Sequence, residues 1–323
     1  MELRPLGASG LEVSALCLGS WLTFEVMDRD EGLAVMRAAL DTGITFFDDA
    51  CYDDHTGQAP MRTGWSEVLF GELFRKTGHP RDEIVMANKL WFEFLPDESV
   101  EAELNGSLER LGTDWIDVVY CAAPPEELPV PELVAALDSL VAKGKLRAWG
   151  GLNWSPELLV EAHRFATAEG LTPPTAVQLP HNVIDRGYVE GPSARKAFKK
   201  TGVAVVASHC LAGGLLTGKY NHPGATGRHG PQRIEKLRER GVLDRIDRWA
   251  ALAGEHGASV AQLCLAFSLS RPAVASVCFG AKSTAQLAED LGTLSVAGGL
   301  RQALVRLDDD TGPPTDPDRG SPP

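Results

Sequence analysis

The stretch DTGITFFDDA (residues 41–50) carries the pattern that decides the fold. A helix-like segment stops at Gly43, the short run ITFF follows, and two acids, Asp48 and Asp49, end it. Working outward, the same form recurs in LCLGSW (16–21), EIVMANK (83–89), WIDVVYC (115–121), RAWGGLN (147–153), AVQLP (176–180), GVAVVAS (202–208) and VASVCFG (274–280). Between these runs lie stretches such as SEVLFGELFRKTG and PELVAALDSLVAKGK, with apolar residues at i, i+3, i+4 and i+7, the period of a helix with one buried face. Several start after Ser, Asp or Pro and stop at Gly, as helix ends do. Runs apolar on both faces are strands covered on both sides, which calls for a parallel sheet with crossover helices. Eight such units fit a closed (β/α)8 TIM barrel of the α/β class better than an open sheet.

The 323 residues would also accommodate two average domains. A barrel takes about 250 residues as one unit, so the expected organisation is a single barrel domain over residues 1–307. The opening LRPLGASGLEVS reads as an N-terminal β-hairpin turning at residues 7–10, a plug over the barrel floor. Residues 220–247 are rich in Gly, Pro and charge where a βα unit needs only a short link, so a long loop is expected after the seventh strand, on the catalytic rim. The segment DDDTGPPTDPDRGSPP (308–323) cannot bury apolar area and reads as a disordered acidic tail.

Hydrophobic residues make up 44% of the chain and charged residues 23%, enough apolar material for a sizeable core. Lys and Arg number 31 against 44 Asp and Glu, a net charge of −13. Such a surface repels phosphate backbones and anionic lipid unless basic residues cluster, so a small molecule is the expected partner, with neither nucleic acid nor membrane. The oligomeric state is left open. No apolar run approaches the roughly 18 residues of a spanning helix, and MELRPLGASG has no signal pattern, so a cytoplasmic location is expected. Cys17, Cys51, Cys121, Cys210, Cys264 and Cys278 are dispersed, without CxxC or Cys/His ligand spacing, and read as reduced thiols with no structural metal. Cys51, in a polar loop, is the one that could be reactive.

In a (β/α)8 barrel the reactive groups sit at the C-terminal ends of strands, which singles out Asp48, Asp49, Lys89, Asn153 and Gln178. Here the sequence resembles the aldo-keto reductase family, over residues 2–295. The motifs that carry the resemblance are RPLGASGLEVSALCLGSW, DTGITFFDDA, SLERLGTDWIDVVY, GGLNWS, LAGGLLTGKY and FGAKSTAQLAEDL, in the family's order. The resemblance implies hydride transfer from a nicotinamide cofactor, bound extended without a Rossmann domain, to the carbonyl of a substrate. It also implies an Asp, a Tyr, a Lys and a His around the substrate. Asp48 and Lys89 match by motif; Tyr52 matches the Tyr but stands one residue closer to the Asp than is usual in the family. In the implied arrangement Asp48 positions Lys89, and the ammonium lowers the pKa of the Tyr52 phenol so that it can release a proton near neutrality. The plain alternatives are an ion-pair lysine, acids that cap helices, a tyrosine that packs in its loop, and a solvated His55.

The main departure is at the fourth run, where DVVYCAAP puts Ala122 in the place of the family's His. In oxyanion-type sites such a donor is worth about 3 kcal/mol. Either the substrate brings its own activation, as a protonated imine or conjugated enone does, or another donor such as His209 or His181 replaces it.

For the cofactor, the resemblance implies that Asn153 and Gln178 hold the carboxamide, although Leu152 stands where a Ser precedes the Asn. Ser208 takes the place of the tyrosine that stacks on the nicotinamide, so stacking would need His209 or another ring. Leu211, Gly213 and Leu215 match the pyrophosphate stretch; Gly280, Lys282, Ser283, Gln286, Glu289 and Asp290 match the adenosine end. Lys282 replaces an Arg but is still a cation for a 2′-phosphate, with Ser283 or Thr284 hydroxyls at a helix N-terminus, which favours NADPH over NADH. For Gln286, Glu289 and Asp290 a solvated helix face is the alternative. Trp21 and Phe24 after the first run, and Trp91, Phe92 and Phe94 after the third, are rim aromatics expected to line a pocket with Ala122 and His209, suited to a medium-to-large apolar or aromatic substrate. Two other classes fit the same residues: an NADP-binding sensor or regulatory protein with little turnover, since beta subunits of voltage-gated potassium channels share the fold, and a non-redox lyase or dehydratase keeping Tyr52 and Lys89 as acid and base.

Overall fold

The computed structural model describes residues 1–312, 314 and 316. The hairpin forms first: β1 (Leu3–Pro5) and β2 (Glu12–Ser14) pair antiparallel, with Leu3 opposite Ser14. Parallel strands then close a barrel. They are β3 (Leu16–Gly19), β4 (Phe46–Asp48), β5 (Val85–Leu90), β6 (Ile116–Cys121), β7 (Leu146–Leu152), β8 (Ala176–Pro180), β9 (Ala204–Ser208) and β10 (Val274–Phe279), with β10 pairing back onto β3. Each expected run is one of these strands. Their ends shift by at most two residues.

Alternation along the strands divides the core into two layers. Cys17, Phe46, Val85, Ala87, Val118, Tyr120, Ala148, Ala176 and Val206 fill the lumen, while Leu16, Leu18, Phe47, Met86, Val119, Trp149, Val177 and Val205 pack outward beneath the helices. Leu6, Leu11 and Val13 of the hairpin join the lumen cluster, so the floor is plugged and the barrel opens only toward the strands' C-terminal ends. Helix starts follow the serines: Ser99 accepts from the Ala102 amide, Ser155 from Leu158, and Ser259 forms a reciprocal box with Gln262.

Two segments differ from the sequence reading. Within 220–247 only the stretch before Pro231 is irregular; helices Pro231–Glu239 and Val242–Gly254 follow. Despite the surrounding charge, Ile234 of the first and Val242, Leu243 and Ile246 of the second bury in one cluster with Leu216 and Tyr220. Residues 308–311, expected in the tail, are the last turn of helix Arg301–Thr311. Asp308 pairs with Arg186 at 2.8 Å and Arg271 at 3.0 Å, and Asp310 accepts from the Trp249 indole at 2.8 Å, so these acids anchor the end of the helix. Residues 313, 315 and 317–323 of that expected tail lie outside the described residues.

Gly7 lets the plug approach the barrel. Its φ is +57°, and a Cβ there would stand 2.1 Å from the Thr175 carbonyl oxygen. Gly7→Ala is therefore expected to cost at least about 2 kcal/mol from strain and overlap, read as a lowered denaturant midpoint; an unchanged midpoint would show that the hairpin is not seated on the barrel.

Candidate active site

Strand alternation places the site's side chains. Phe46 and Asp48 on β4, and Val85, Ala87 and Lys89 on β5, point into the lumen, and the register sets Asp48 beside Ala87 one step below the lysine. The Lys89 ammonium donates to Asp48 Oδ2 at 2.8 Å, to the Tyr52 hydroxyl at 2.8 Å and to the Asp49 carbonyl at 3.3 Å. The Tyr52 amide donates to the Ala50 carbonyl at 2.9 Å, a tight turn that brings the phenol to the lysine despite the shortened spacing. Gln178 on β8 donates to the second Asp48 oxygen at 2.9 Å, and Cys278 on β10 turns its thiol to Oδ2 at 4.0 Å.

Burial opposes the Lys89 charge, but Asp48 and Tyr52 outweigh it and hold the ammonium above the ordinary lysine range. The lowered Tyr52 pKa expected from sequence is corrected: burial raises it, and Lys89 offsets only part of that rise, so the phenol keeps its proton. Asp49, fully buried, accepts from the Ser20 hydroxyl; burial and the nearby Glu67 carboxylate raise it well above the usual range.

Aromatic rings wall this cluster. Trp21 and Trp91 each stand 6.2 Å from the Tyr52 ring, and His209 lies edge-on to Trp21 at 5.8 Å. Burial, then Arg228 and Lys89, lower the His209 pKa and keep the imidazole neutral. Half-buried Ala122 stands at the end of β6 with its amide on the Leu90 carbonyl at 2.8 Å.

Beyond Trp21 the mouth becomes cationic. Lys219, Arg228 and Lys282 make no ion pair among the described residues, and burial followed by the other two cations lowers the Lys282 pKa. Arg228 donates to the Trp21 carbonyl at 2.9 Å with its guanidinium 4.5 Å over the indole, and His229 contacts the Ala212 carbonyl at 2.7 Å, so this segment laps over the turn Ala212–Thr217. In that turn Gly213 and Gly214 have φ of +65° and +85°. A Cβ on Gly213 would lie 3.1 Å from His229 Nε2, and one on Gly227 would lie 2.4 Å from Lys219 Nζ. Unpaired cations beside a glycine-lined cradle fit a phosphate-bearing dinucleotide.

The aldo/keto reductase family model matches residues 15–297. The chain belongs to that family. Among curated proteins it is similar to one named probable voltage-gated potassium channel subunit beta from Oryza sativa subsp. japonica, 32% identical over 320 residues and 94% of each chain. A protein of the same name from Arabidopsis thaliana is 30% identical over 310 residues and 92% of each chain.

Against this aldo/keto reductase frame the expected residues sort by position. Asp48, Tyr52, Lys89, Gln178, Trp21, Trp91, Ala122 and His209 gather at the mouth. Asn153, exposed at the end of β7 with φ +55°, Ser208, Leu211 and Gly213 rim it. Gly280, Lys282, Ser283 and Gln286 lie at the start of helix Thr284–Val296, where Ser283 accepts from the Gln286 amide and Gln286 accepts from the Lys282 amide; Glu289 is exposed one turn on.

Several expectations are corrected. Phe24 and Phe92 are 2% and 5% exposed and belong to the core beneath the helices, and Leu215 buries its side chain in the cluster around Trp249, so it offers backbone at most. Phe94 is 59% exposed. His181 cannot replace the missing donor, because it is sealed in the interior between Ser268 at 3.0 Å and Glu190 at 2.8 Å. The Cys51 thiol is pushed up to about 12 by burial and then Glu67, so the electrostatics give it no activation. Sequence reasoning missed Lys219 and Arg228, whose signal was cations flanking a Gly-rich stretch in an acidic chain. It also missed the Trp91 indole N–H as a donor: it is buried without a partner.

Asp290 is buried, and burial with Glu289 pushes its carboxyl up to about 7. Between about pH 4 and 7 the folded chain therefore holds a proton that the unfolded chain releases, and stability falls as pH rises through that window. Asp290→Asn should melt higher than the parent at about pH 8 and nearly equally at about pH 4; equal melting at both would place the carboxylate in water.

Proposed function

We propose that the protein is an NADPH-dependent oxidoreductase of aldo-keto reductase type, acting in the cytoplasm on a C=O, C=N or conjugated C=C group of an apolar or aromatic substrate. The observation that carries this reading is the buried Lys89 ammonium bridging Asp48 and the Tyr52 hydroxyl at 2.8 Å each, at the open end of the barrel. A bound nicotinamide nucleotide would supply the hydride. Tyr52 holds a proton at its hydroxyl and delivers it to the substrate heteroatom, while Lys89 steadies the phenolate left behind and Asp48 keeps the lysine charged. Lys219, Arg228, Gly213 and Gly214 suit a pyrophosphate, Lys282 and Ser283 a 2′-phosphate, and Asn153 a carboxamide. The indoles of Trp21 and Trp91, each 6.2 Å from the Tyr52 ring, favour flat apolar substrates. Ala122 offers no donor there, and the neutral His209 imidazole beside Trp21 is the replacement we assign.

The curated relatives' names, together with Ala122, favour one second reading: an NADP-binding regulatory protein with little turnover. Titration of tryptophan fluorescence with NADPH and NADH, followed by NADPH oxidation with aromatic aldehydes, imines and enones, separates the two. The enzyme reading expects preference for NADPH and measurable turnover. It expects Tyr52→Phe and Lys89→Met to lower turnover by roughly 100-fold or more with NADPH affinity little changed, and Lys282→Ala to weaken NADPH by about tenfold and NADH hardly at all. NADPH binding without turnover on any of these substrates supports the regulatory reading, and no binding of either nucleotide overturns both.

A further inference from the structure

The barrel lumen holds two thiols that the proposed reaction does not use. Cys17 on β3 and Cys278 on β10 are direct partners in the parallel register, both facing inward. Neighbouring strands lie about 4.8 Å apart, within the Cα separation that a disulfide spans. The two thiols are neighbours in the lumen, and burial and then the Cys278 thiol push Cys17 well above the usual range. Gly19 leaves the space for this, since a Cβ there would stand 2.9 Å from Cys278 Sγ. The pair is graded in access. Cys17 is fully buried among Phe46, Val118 and Tyr120, whereas Cys278 is partly exposed at the mouth, with its sulfur 4.0 Å from Asp48 Oδ2.

We propose that Cys17 and Cys278 are a redox-active dithiol that a hydroperoxide entering the barrel mouth converts to a cross-strand disulfide. The Cys278 sulfur attacks the O–O bond, forming an S–O bond and releasing one water that carries away the thiol proton. The Cys17 sulfur then attacks the sulfenic sulfur of Cys278: the S–S bond forms, the S–O bond breaks, and the hydroxyl leaves as a second water with the Cys17 proton. Two thiols are oxidised and one peroxide is reduced. The product lacks the S–H facing Asp48, so the oxidised barrel holds that carboxylate through Lys89 and Gln178 alone. An effect on turnover rests on the proposed function; the crosslink does not.

The test treats the reduced full-length protein with a small excess of hydrogen peroxide, alkylates free thiols and maps peptides without reduction. The expected result is a linked pair of peptides carrying Cys17 and Cys278, two hydrogens lighter than the separate thiols and released by dithiothreitol. In Cys17→Ser the link is absent and Cys278 is trapped as a dimedone adduct, with circular dichroism establishing that the variant is folded. Alkylation of both cysteines at undiminished yield after peroxide, or a link between any other pair in preference to this one, overturns the proposal whether or not the protein turns over NADPH.

Discussion

A lysine ammonium inside a barrel lumen is unfavourable by several kcal/mol unless its protons find acceptors. Lys89 finds three: the Asp48 carboxylate, the Tyr52 oxygen and the Asp49 carbonyl. Much of the surrounding structure serves to keep those acceptors in place. The β4–β5 register fixes Asp48 below the lysine, Gln178 reaches across from the opposite wall to hold the other carboxylate oxygen, and the hairpin closes the floor so that the polar cluster meets solvent only at the mouth. Loss of Asp48 would leave the ammonium buried without a counter-charge, so geometry and charge state are specified together.

The same economy of charge appears at the surface. A chain of net charge −13 gathers Lys219, Arg228 and Lys282 around one end of the mouth without giving them acidic partners. Other buried charges are paired: Asp117 with Arg81 and Arg147, Glu67 with Arg110, and Glu190 with Arg186 and His181. Cations left to repel one another in a protein rich in acid amount to a standing attraction for a polyanion, and Arg228, seated on Trp21, ties that attraction to the rim of the site.

How much of this was legible depended on whether one residue's neighbours in sequence are also its neighbours in space. The strands could be read because each is a short local run, and Asp48 and Lys89 because strand alternation aims them inward. Tyr52 needed the family motif, and the direction of its pKa could not be read, since its desolvation depends on neighbours such as Trp21 and Trp91 from other loops. Trp21 and Phe24 are three residues apart in one rim loop, yet one faces the mouth and the other the core; loops have no period to tell them apart. His181 looked available because Ser268, which holds it, is 87 positions away. The last turn of helix Arg301–Thr311 looked disordered because Arg186 and Arg271, which pair with Asp308, come from distant segments. Ile234 and Ile246 were hidden by the charges around them.

The central claim is that Tyr52 is a half-buried, protonated phenol whose ionisation is coupled to Lys89. With four tyrosines in the chain, labelling the Cζ carbons with 13C and following each signal against pH by NMR measures this directly. The account predicts that Tyr52 stays un-ionised beyond the ordinary tyrosine range, near pH 10, and that Lys89→Met raises its resistance further. A Tyr52 that titrates at or below the ordinary value, or that is indifferent to the loss of Lys89, would contradict it.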